Sequence, residues 1–378
     1  MTAVPSDTGA QVSDRKRLVV AMSGGVDSSV AAAIVKSAGH DVIGITIKTH
    51  NFEDVGGNSD HESSCCSLDG INDARAVAAA LDFPHYVLDF SEVFGRLVID
   101  NFVDEYLAGR TPNPCVICNR HIKWEELLKK AEALGADAIV TGHYARVRKD
   151  PGTGRYVVSR GADVTKDQSY ALWGLTQESL SRTIFPLAEM TKDDSRNLAR
   201  DFGLPVASKG ESFEICFVTD NNYERFLKER LPGLAEKVDG GIITHDGTAV
   251  GTHRGFPFYT IGQRKGLGLA TGAPVYVTEI DAGRNTIRVG SEEQLYHAGL
   301  VAENVNLVKY RDLATPLRVR AKIRYKDEGG MATARTRDDG RLEVHFEEKR
   351  RASTPGQSVV LYEGDDIVGG GVIAEILD

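Results

Sequence analysis

No apolar stretch in this 378-residue chain approaches the roughly 20 residues needed to cross a bilayer. The first 16 residues are polar and lack the apolar core of a secretory signal, so a disordered tail over 1–16 and a cytoplasmic location are expected. Positive charge is not in excess. Lys and Arg number 45 against 54 Asp and Glu, a net charge of -9, so a nucleic-acid partner must be met by a local basic patch. Cysteine is scarce and odd in number: Cys65, Cys66, Cys115, Cys118 and Cys216. That argues against a disulfide framework and for reactive or metal-binding thiols. There is no internal repeat or low-complexity tract. What remains, with 41% hydrophobic and 26% charged residues, is an ordinary globular protein of two or three domains.

Two nucleotide-binding signatures are also absent. No Gly-Lys-[Ser/Thr] closes a Walker loop, and no Gly-x-Gly-x-x-Gly marks a dinucleotide site. What is present is a Val-rich run over 18–22, then Ser23-Gly24-Gly25-Val26-Asp27-Ser28-Ser29, then an Ala-rich helix ended by Gly39. Gly24 and Gly25 permit backbone conformations closed to other residues and close approach of a ligand. Hydroxyls of Ser23, Ser28 and Ser29 add donors at a helix N-terminus that already favours an anion. The loop Ser-Gly-Gly-Val-Asp-Ser resembles the PP-loop of ATP pyrophosphatases, which implies that it holds the pyrophosphate of ATP.

Strands are expected at 41–47, 85–90 and 138–141, and helices at 69–81, 93–107, 123–134 and 191–202, the last opened by Thr191 with Asp193 and Asp194 in its first turn. The alternation predicts an α/β fold with a doubly wound parallel sheet, its ligands at the carboxyl ends of the strands. Asp150 to Gly154 signals a hairpin. Past Cys216, short strands and Gly-rich turns take over. The expected division is a catalytic ATP-binding domain over 17–215, a small central domain over 216–290 and a C-terminal β-barrel over 291–378.

The stretch 317–326 alternates apolar and cationic residues without a break. As one strand it would line five positive charges on one face, about 6.7 Å apart, which suits a phosphodiester backbone. The other reading is a solvated outer face. Arg264 and Lys265, in a Gly-rich loop, favour nucleic acid.

Pro112 and Pro114 place a helix start at Pro114, with Cys115 and Cys118 in its first turns on one face. A thiol there, near Arg120 and Lys123, is expected to have a depressed pKa and a nucleophile's character. Cys216 has apolar neighbours and alone reads as a core cysteine. The C-x-x-C spacing admits half a zinc site, an iron–sulfur site with Cys216 as third ligand, or redox and persulfide chemistry.

Several short elements occur in the order seen in tRNA-specific 2-thiouridylases. They are the PP-loop, Asn113-Pro114-x-x-x-Cys118-Asn119, Thr141-Gly142-His143-Tyr144, Lys166-Asp167-Gln168-Ser169-Tyr170, Ile215-Cys216-Phe217, Gly262-Gln263-Arg264-Lys265-Gly266-Leu267-Gly268 and Thr354-Pro355-Gly356-Gln357-Ser358. The resemblance implies ATP with Mg²⁺, bound by Ala21, Met22, Ser23, Gly24, Gly25, Val26, Asp27, Ser28, Ile47 and Gly142. It implies that Asn113, Pro114 and Cys115 border the target base and that His143, Lys166, Asp167, Gln168, Arg324, Tyr325 and Gln357 contact tRNA. Sulfur would arrive as a persulfide on Cys216 from a sulfur-donor protein, a cysteine desulfurase or sulfur relay. Cys118 would release it, leaving a Cys118–Cys216 disulfide. A monomer without a resident metal is expected.

Two positions depart from the family pattern. An Asp proposed as general acid/base commonly stands where this chain has Cys115, and a thiol cannot act as a carboxylate. A common Met is Ile47 here. Amide-forming PP-loop synthetases need neither the C-x-x-C nor a basic β-domain. A non-catalytic RNA-binding protein with a structural metal would not need Asp27.

Overall fold

The computed structural model describes residues 15–50, 68–210, 215–218 and 220–378. Residues 1–14, the loop 51–67 bearing Cys65 and Cys66, 211–214 beside Cys216 and residue 219 lie outside them.

Four strands, β1 (Arg17–Ala21), β2 (Asp41–Lys48), β3 (His85–Asp89) and β4 (Ala138–Val140), form most of a parallel sheet. β1 pairs with β2 from Arg17↔Asp41 and with β4 from Leu18↔Ala138. Burial on both faces explains the unbroken Leu18-Val19-Val20 run, whose side chains are fully buried. Leu18 and Val20 face one apolar cluster with helices α1 (Val26–Ser37) and α2 (Leu68–Ala80) and the helix Lys192–Asp201. Val19 faces the opposite cluster with Trp124, Leu127 and Ala131. Helices therefore cover both faces, as the alternation implied. The helix Lys192–Asp201 opens with a reciprocal capping box between Thr191 and Asp194.

Residues 91–107 and 114–133 are continuous helices, each with an internal π-helical stretch, Gly95–Ile99 and Cys118–Glu126. The second starts at Pro114, nine residues before the 123–134 segment legible from periodicity.

The hairpin β5 (Ala145–Lys149) and β6 (Tyr156–Arg160) forms where its turn signal stood, but it leaves the parallel sheet, whose fifth strand is the short β7 (Thr183–Ile184). The hairpin joins the C-terminal sheet through Ser159↔Asp366. Asp366 binds it further, accepting from Ser159 Oγ (2.6 Å) and from Arg148 (2.8 Å to each oxygen).

β8 (Gly241–His245), β9 (Thr248–His253), β10 (Tyr276–Asp281) and β11 (Thr286–Gly290) make a four-stranded sheet in the order β10-β11-β8-β9. Its core is continuous with the 91–107 helix: Phe94, Phe102 and Tyr106 share one cluster with Phe217, Phe226, Ile243 and Val289. The last six strands are β12 (Tyr296–Leu307), β13 (Leu317–Lys322), β14 (Gly330–Thr336), β15 (Leu342–Arg351), β16 (Ser358–Glu363) and β17 (Asp366–Leu377). They close into an antiparallel barrel because β12 pairs with both β15 and β17. No helix among the described residues is long and apolar enough to cross a membrane.

Candidate functional site

β1 delivers its chain directly into the glycine loop. Gly24 sits at φ 71°, and a Cβ there would stand 2.0 Å from the Gly70 carbonyl oxygen in α2. Gly25 differs. Its φ of -94° and ψ of 167° are open to any residue, and a Cβ would meet only Ser23 Oγ at 3.4 Å. Left-handed freedom is needed at Gly24 alone, whereas Gly25 leaves space above the loop. Ser28 Oγ accepts from Ser23 N–H (3.2 Å) and donates to the Gly25 carbonyl (3.2 Å), which fixes the loop's curl. Ser29 is fully buried and its hydroxyl donates to the same carbonyl (2.8 Å). It braces the helix and is not the phosphate donor expected from the sequence.

The end of β4 presses on this loop from the other side. A Cβ on Gly142 would lie 2.6 Å from the Asp27 carbonyl carbon and 2.7 Å from Ser28 N. Backbone thus approaches backbone on both flanks, at Gly24 and Gly142. The bare loop between them, at a helix N-terminus, fits the phosphate chain of ATP.

Asp27 is held from elsewhere in the chain. Lys192 Nζ lies 2.7 and 2.8 Å from its two carboxylate oxygens. Tyr144 donates its phenol to Asp27 (2.8 Å) and contacts Ser195 Oγ (2.9 Å). Burial raises the Tyr144 pKa, so it stays a donor. Lys209 Nζ donates to the Gly24 carbonyl (3.2 Å) and pairs with Asp73. Lys192, Tyr144 and Lys209 were not legible as site residues. The capping signal located Thr191, but nothing local says that the next residue reaches Asp27.

Pro114 starts the cysteine helix without a side-chain cap on Asn113. Cys115 is exposed and Cys118, where the π-helical stretch begins, is half-buried. Trp124 anchors that stretch by donating to Thr183 Oγ1 (2.7 Å), and Asn119 does so by donating to the Ala171 carbonyl (2.9 Å). Cys216 is half-buried as well. Cys118 and Cys216 pack against the same apolar cluster, together with Ile47 from the end of β2. Phe217, next to Cys216, lies edge-on to Phe94, which follows β3, at 5.8 Å between centroids. The thiols therefore stand on the carboxyl side of the parallel sheet, as the glycine loop does. All three are free. Among the described residues no three or more His, Cys, Asp or Glu side chains are grouped to hold a metal ion.

Of the residues expected at tRNA, Gln357 lies where the barrel meets residues 111–112, and the others are spread over neighbouring elements. Gln357 donates its amide to the carbonyls of Thr111 (3.2 Å) and Pro112 (2.9 Å), and Thr111 N–H donates to the Pro355 carbonyl (2.9 Å). Tyr325 donates to the Asp167 carbonyl (3.2 Å) and packs on Tyr170. Its phenol pKa is raised by burial and, less, by the charges of Asp167 and Cys115. Asp167 accepts from Ser169 N–H and Oγ at 3.0 Å each, and Gln168 Oε1 accepts from Tyr144 N–H (3.1 Å). Lys166 N–H donates to the Asp163 carbonyl (3.1 Å), and Arg324 is exposed. His143 is wedged between Trp124 and Phe185, hydrogen-bonded to Thr141 (2.7 Å), and burial drives its pKa well below the usual histidine value.

The basic stripe is shorter than the alternation suggests. β13 ends at Lys322, because Asp327 accepts from Ile323 N–H (3.0 Å) and turns the chain, leaving Arg324 and Lys326 off the strand. Arg318 is paired with Glu347, and burial lowers the Lys322 pKa. A five-charge ladder for phosphates does not form.

Residues 16–220 match the family described as tRNA methyl transferase HUP domain, 224–291 the tRNA methyl transferase PRC-barrel domain and 297–373 the aminomethyltransferase beta-barrel domain. The chain is 54% identical to the tRNA-specific 2-thiouridylase MnmA of Salinibacter ruber, over 97% of this chain and 96% of that one. It is 51% identical to the protein of that name from Amoebophilus asiaticus (94% and 95%) and 47% to that of Clostridium perfringens (96% and 99%). Among solved structures, a 4-thiouridine synthetase in complex with RNA and ATP is similar at 17% identity and a TM-score of 0.37, covering 58% of this chain and 51% of that one. A TM-score so low bears on neither fold nor function.

Proposed function

The chain belongs to the tRNA-specific 2-thiouridylases, and we propose that it replaces O2 of the wobble uridine of tRNA with sulfur in an ATP-dependent reaction. A uracil carbonyl oxygen is a poor leaving group. ATP is the substrate that changes this: transfer of AMP to O2 releases pyrophosphate, and AMP then departs when sulfur attacks C2. Mg²⁺ accompanies the ATP phosphates. In this reading Ser23 to Ser28 hold the phosphates, with Gly142 closing one flank and Ile47 bordering the adenine. Lys192 and Tyr144 hold Asp27 in place before ATP arrives.

Sulfur comes as a persulfide on Cys216, loaded by a cysteine desulfurase or a relay protein. Cys118 thiolate attacks the Cys216 sulfur, hydrosulfide leaves toward C2, and the two cysteines end as a disulfide. Asn113, Pro114 and Cys115 border the base. Lys166, Asp167, Gln168, His143, Arg324, Tyr325 and Gln357 form the surrounding tRNA surface. In the free protein Tyr325 and Gln357 brace that surface by bonding to Asp167, Thr111 and Pro112. The ATP unit is taken as 17–215, the central unit as 216–290 and the tRNA-contacting barrel as 291–378, acting as a monomer in the cytoplasm.

The observation that carries this reading is that Ile47, Cys118 and Cys216 pack on one apolar cluster at the strand ends where the glycine loop also lies. The test is thiolation of unmodified tRNA with ATP and a persulfide donor, with nucleosides analysed by mass spectrometry. One AMP and one pyrophosphate should form per 2-thiouridine, and Cys118→Ala or Cys216→Ala should give none. Sulfur transfer persisting in Cys216→Ala would refute the persulfide route.

A further inference from the structure

Cys115 has no place in the two-thiol cycle above, yet it is the most exposed of the three described cysteines. It stands three residues before Cys118 on one continuous helix, 114–133. Side chains at that spacing are neighbours, about 5–6 Å apart at Cβ, and a small tightening of the helix's first turn brings such a pair to the roughly 3.5–4.5 Å that a disulfide needs. Cys118 and Cys216 are instead half-buried against an apolar cluster, a poor place for an external reductant to act.

We infer that Cys115 is the resolving thiol of this enzyme, a role that rests on the functional reading above. After sulfur transfer, Cys115 thiolate attacks Cys118 Sγ within the Cys118–Cys216 disulfide. A Cys115–Cys118 bond forms, the bond to Cys216 breaks, and Cys216 leaves as thiolate. No net oxidation occurs, and Cys216 is free to be loaded again. An external dithiol, small or on a redox protein, then gives two electrons and two protons to the exposed Cys115–Cys118 disulfide and becomes a disulfide itself. The first turn of a helix lowers thiol pKa and supplies the thiolate needed for the attack. The disulfide thus moves from an apolar contact to the surface without a change of fold.

The test uses the full chain, reduced and then freed of reductant, with tRNA, ATP and a low-molecular-weight persulfide. The reaction is quenched with an alkylating agent and digested without reduction. Cleavage after Arg110 and Arg120 puts Cys115 and Cys118 in one peptide, 111–120. The wild type should accumulate that peptide two hydrogens lighter, with Cys216 alkylated. Cys115→Ser and Cys115→Asp should instead accumulate a Cys118–Cys216 cross-linked peptide and stop near one turnover per enzyme at dithiol levels that sustain the wild type. Wild type trapped as Cys118–Cys216 with Cys115 alkylated would overturn the proposal. So would Cys115→Asp turning over as often as wild type, which would make position 115 an acid/base site. If the wild type makes no thiolated tRNA at all, the functional reading fails first, and the peptide map still reports which thiols pair.

Discussion

The two adjacent glycines of the phosphate loop should fail in different ways when changed to alanine. At Gly24 the left-handed φ of 71° costs an alanine about 1–2 kcal/mol. Its Cβ would also stand 2.0 Å from a carbonyl oxygen of the α2 backbone, which cannot swing aside as a side chain would. Overpacking of that kind adds about 1–3 kcal/mol. The sum centres on about 3.5 kcal/mol, which at about 2–4 °C per kcal/mol is a fall in Tm of roughly 7–14 °C. Gly25 is already extended, and its Cβ would make one ordinary contact, so Gly25→Ala should melt within about 0.5 kcal/mol of wild type. The methyl would, however, stand where a phosphate must approach. ATP at a hundred times its Kd stabilises a binding-competent protein by about 2.7 kcal/mol, and Gly25→Ala should lose that gain. Thermal melts with and without ATP separate the two effects. If Gly25→Ala melts as low as Gly24→Ala, or keeps the full ATP shift, the distinction between a folding glycine and a ligand glycine is wrong.

Lys192→Ala removes a cation bonded to both Asp27 oxygens and leaves the carboxylate with Tyr144. A loss of about 1–3 kcal/mol in urea unfolding is expected, with a larger loss of ATP-dependent AMP formation; unchanged AMP release would show that Asp27 needs no such support. His143 should make the protein acid-sensitive. Its folded pKa lies below the unfolded value of 6.5, so the unfolded chain takes up the proton first. Stability is intact above about pH 6.5 and falls below it, by at most about 1.4 kcal/mol per pH unit, until the folded imidazole titrates. Denaturation midpoints between pH 5 and 8 should vary less in His143→Asn; an equally steep profile would assign the effect to other groups. The exposed turn bearing Arg264 and Lys265 packs Gly262 against Ala352, next to the segment that holds Gln357. The double change to alanine should flatten the slope of log K for tRNA against log salt by about 1.4–1.8, whereas Lys130→Ala on the helix end should leave it unchanged.

What was legible in the sequence was local. The apolar run into Ser23-Gly24-Gly25, the Thr191 cap and the hairpin turn at Asp150 each carry their signal within a few residues, and each forms as read. What was not legible shares one cause. The hairpin's turn is local, but the partner that ties it to the C-terminal sheet, Asp366, is more than 200 positions away. Alternation over 317–326 ignored Asp327, whose carboxylate ends the strand by capturing a backbone N–H. Cys216 shows a different limit. Apolar neighbours marked it as a core cysteine and family resemblance marked it as reactive, and in the fold it is half-buried at the edge of the cluster it shares with Cys118. In the proposed cycle the two readings do not compete, since an apolar wall would shield a persulfide from water while half-exposure leaves it open to a second thiol. In that cycle burial is part of the chemistry, and it calls for an exposed third thiol that can carry the oxidised bond to the surface.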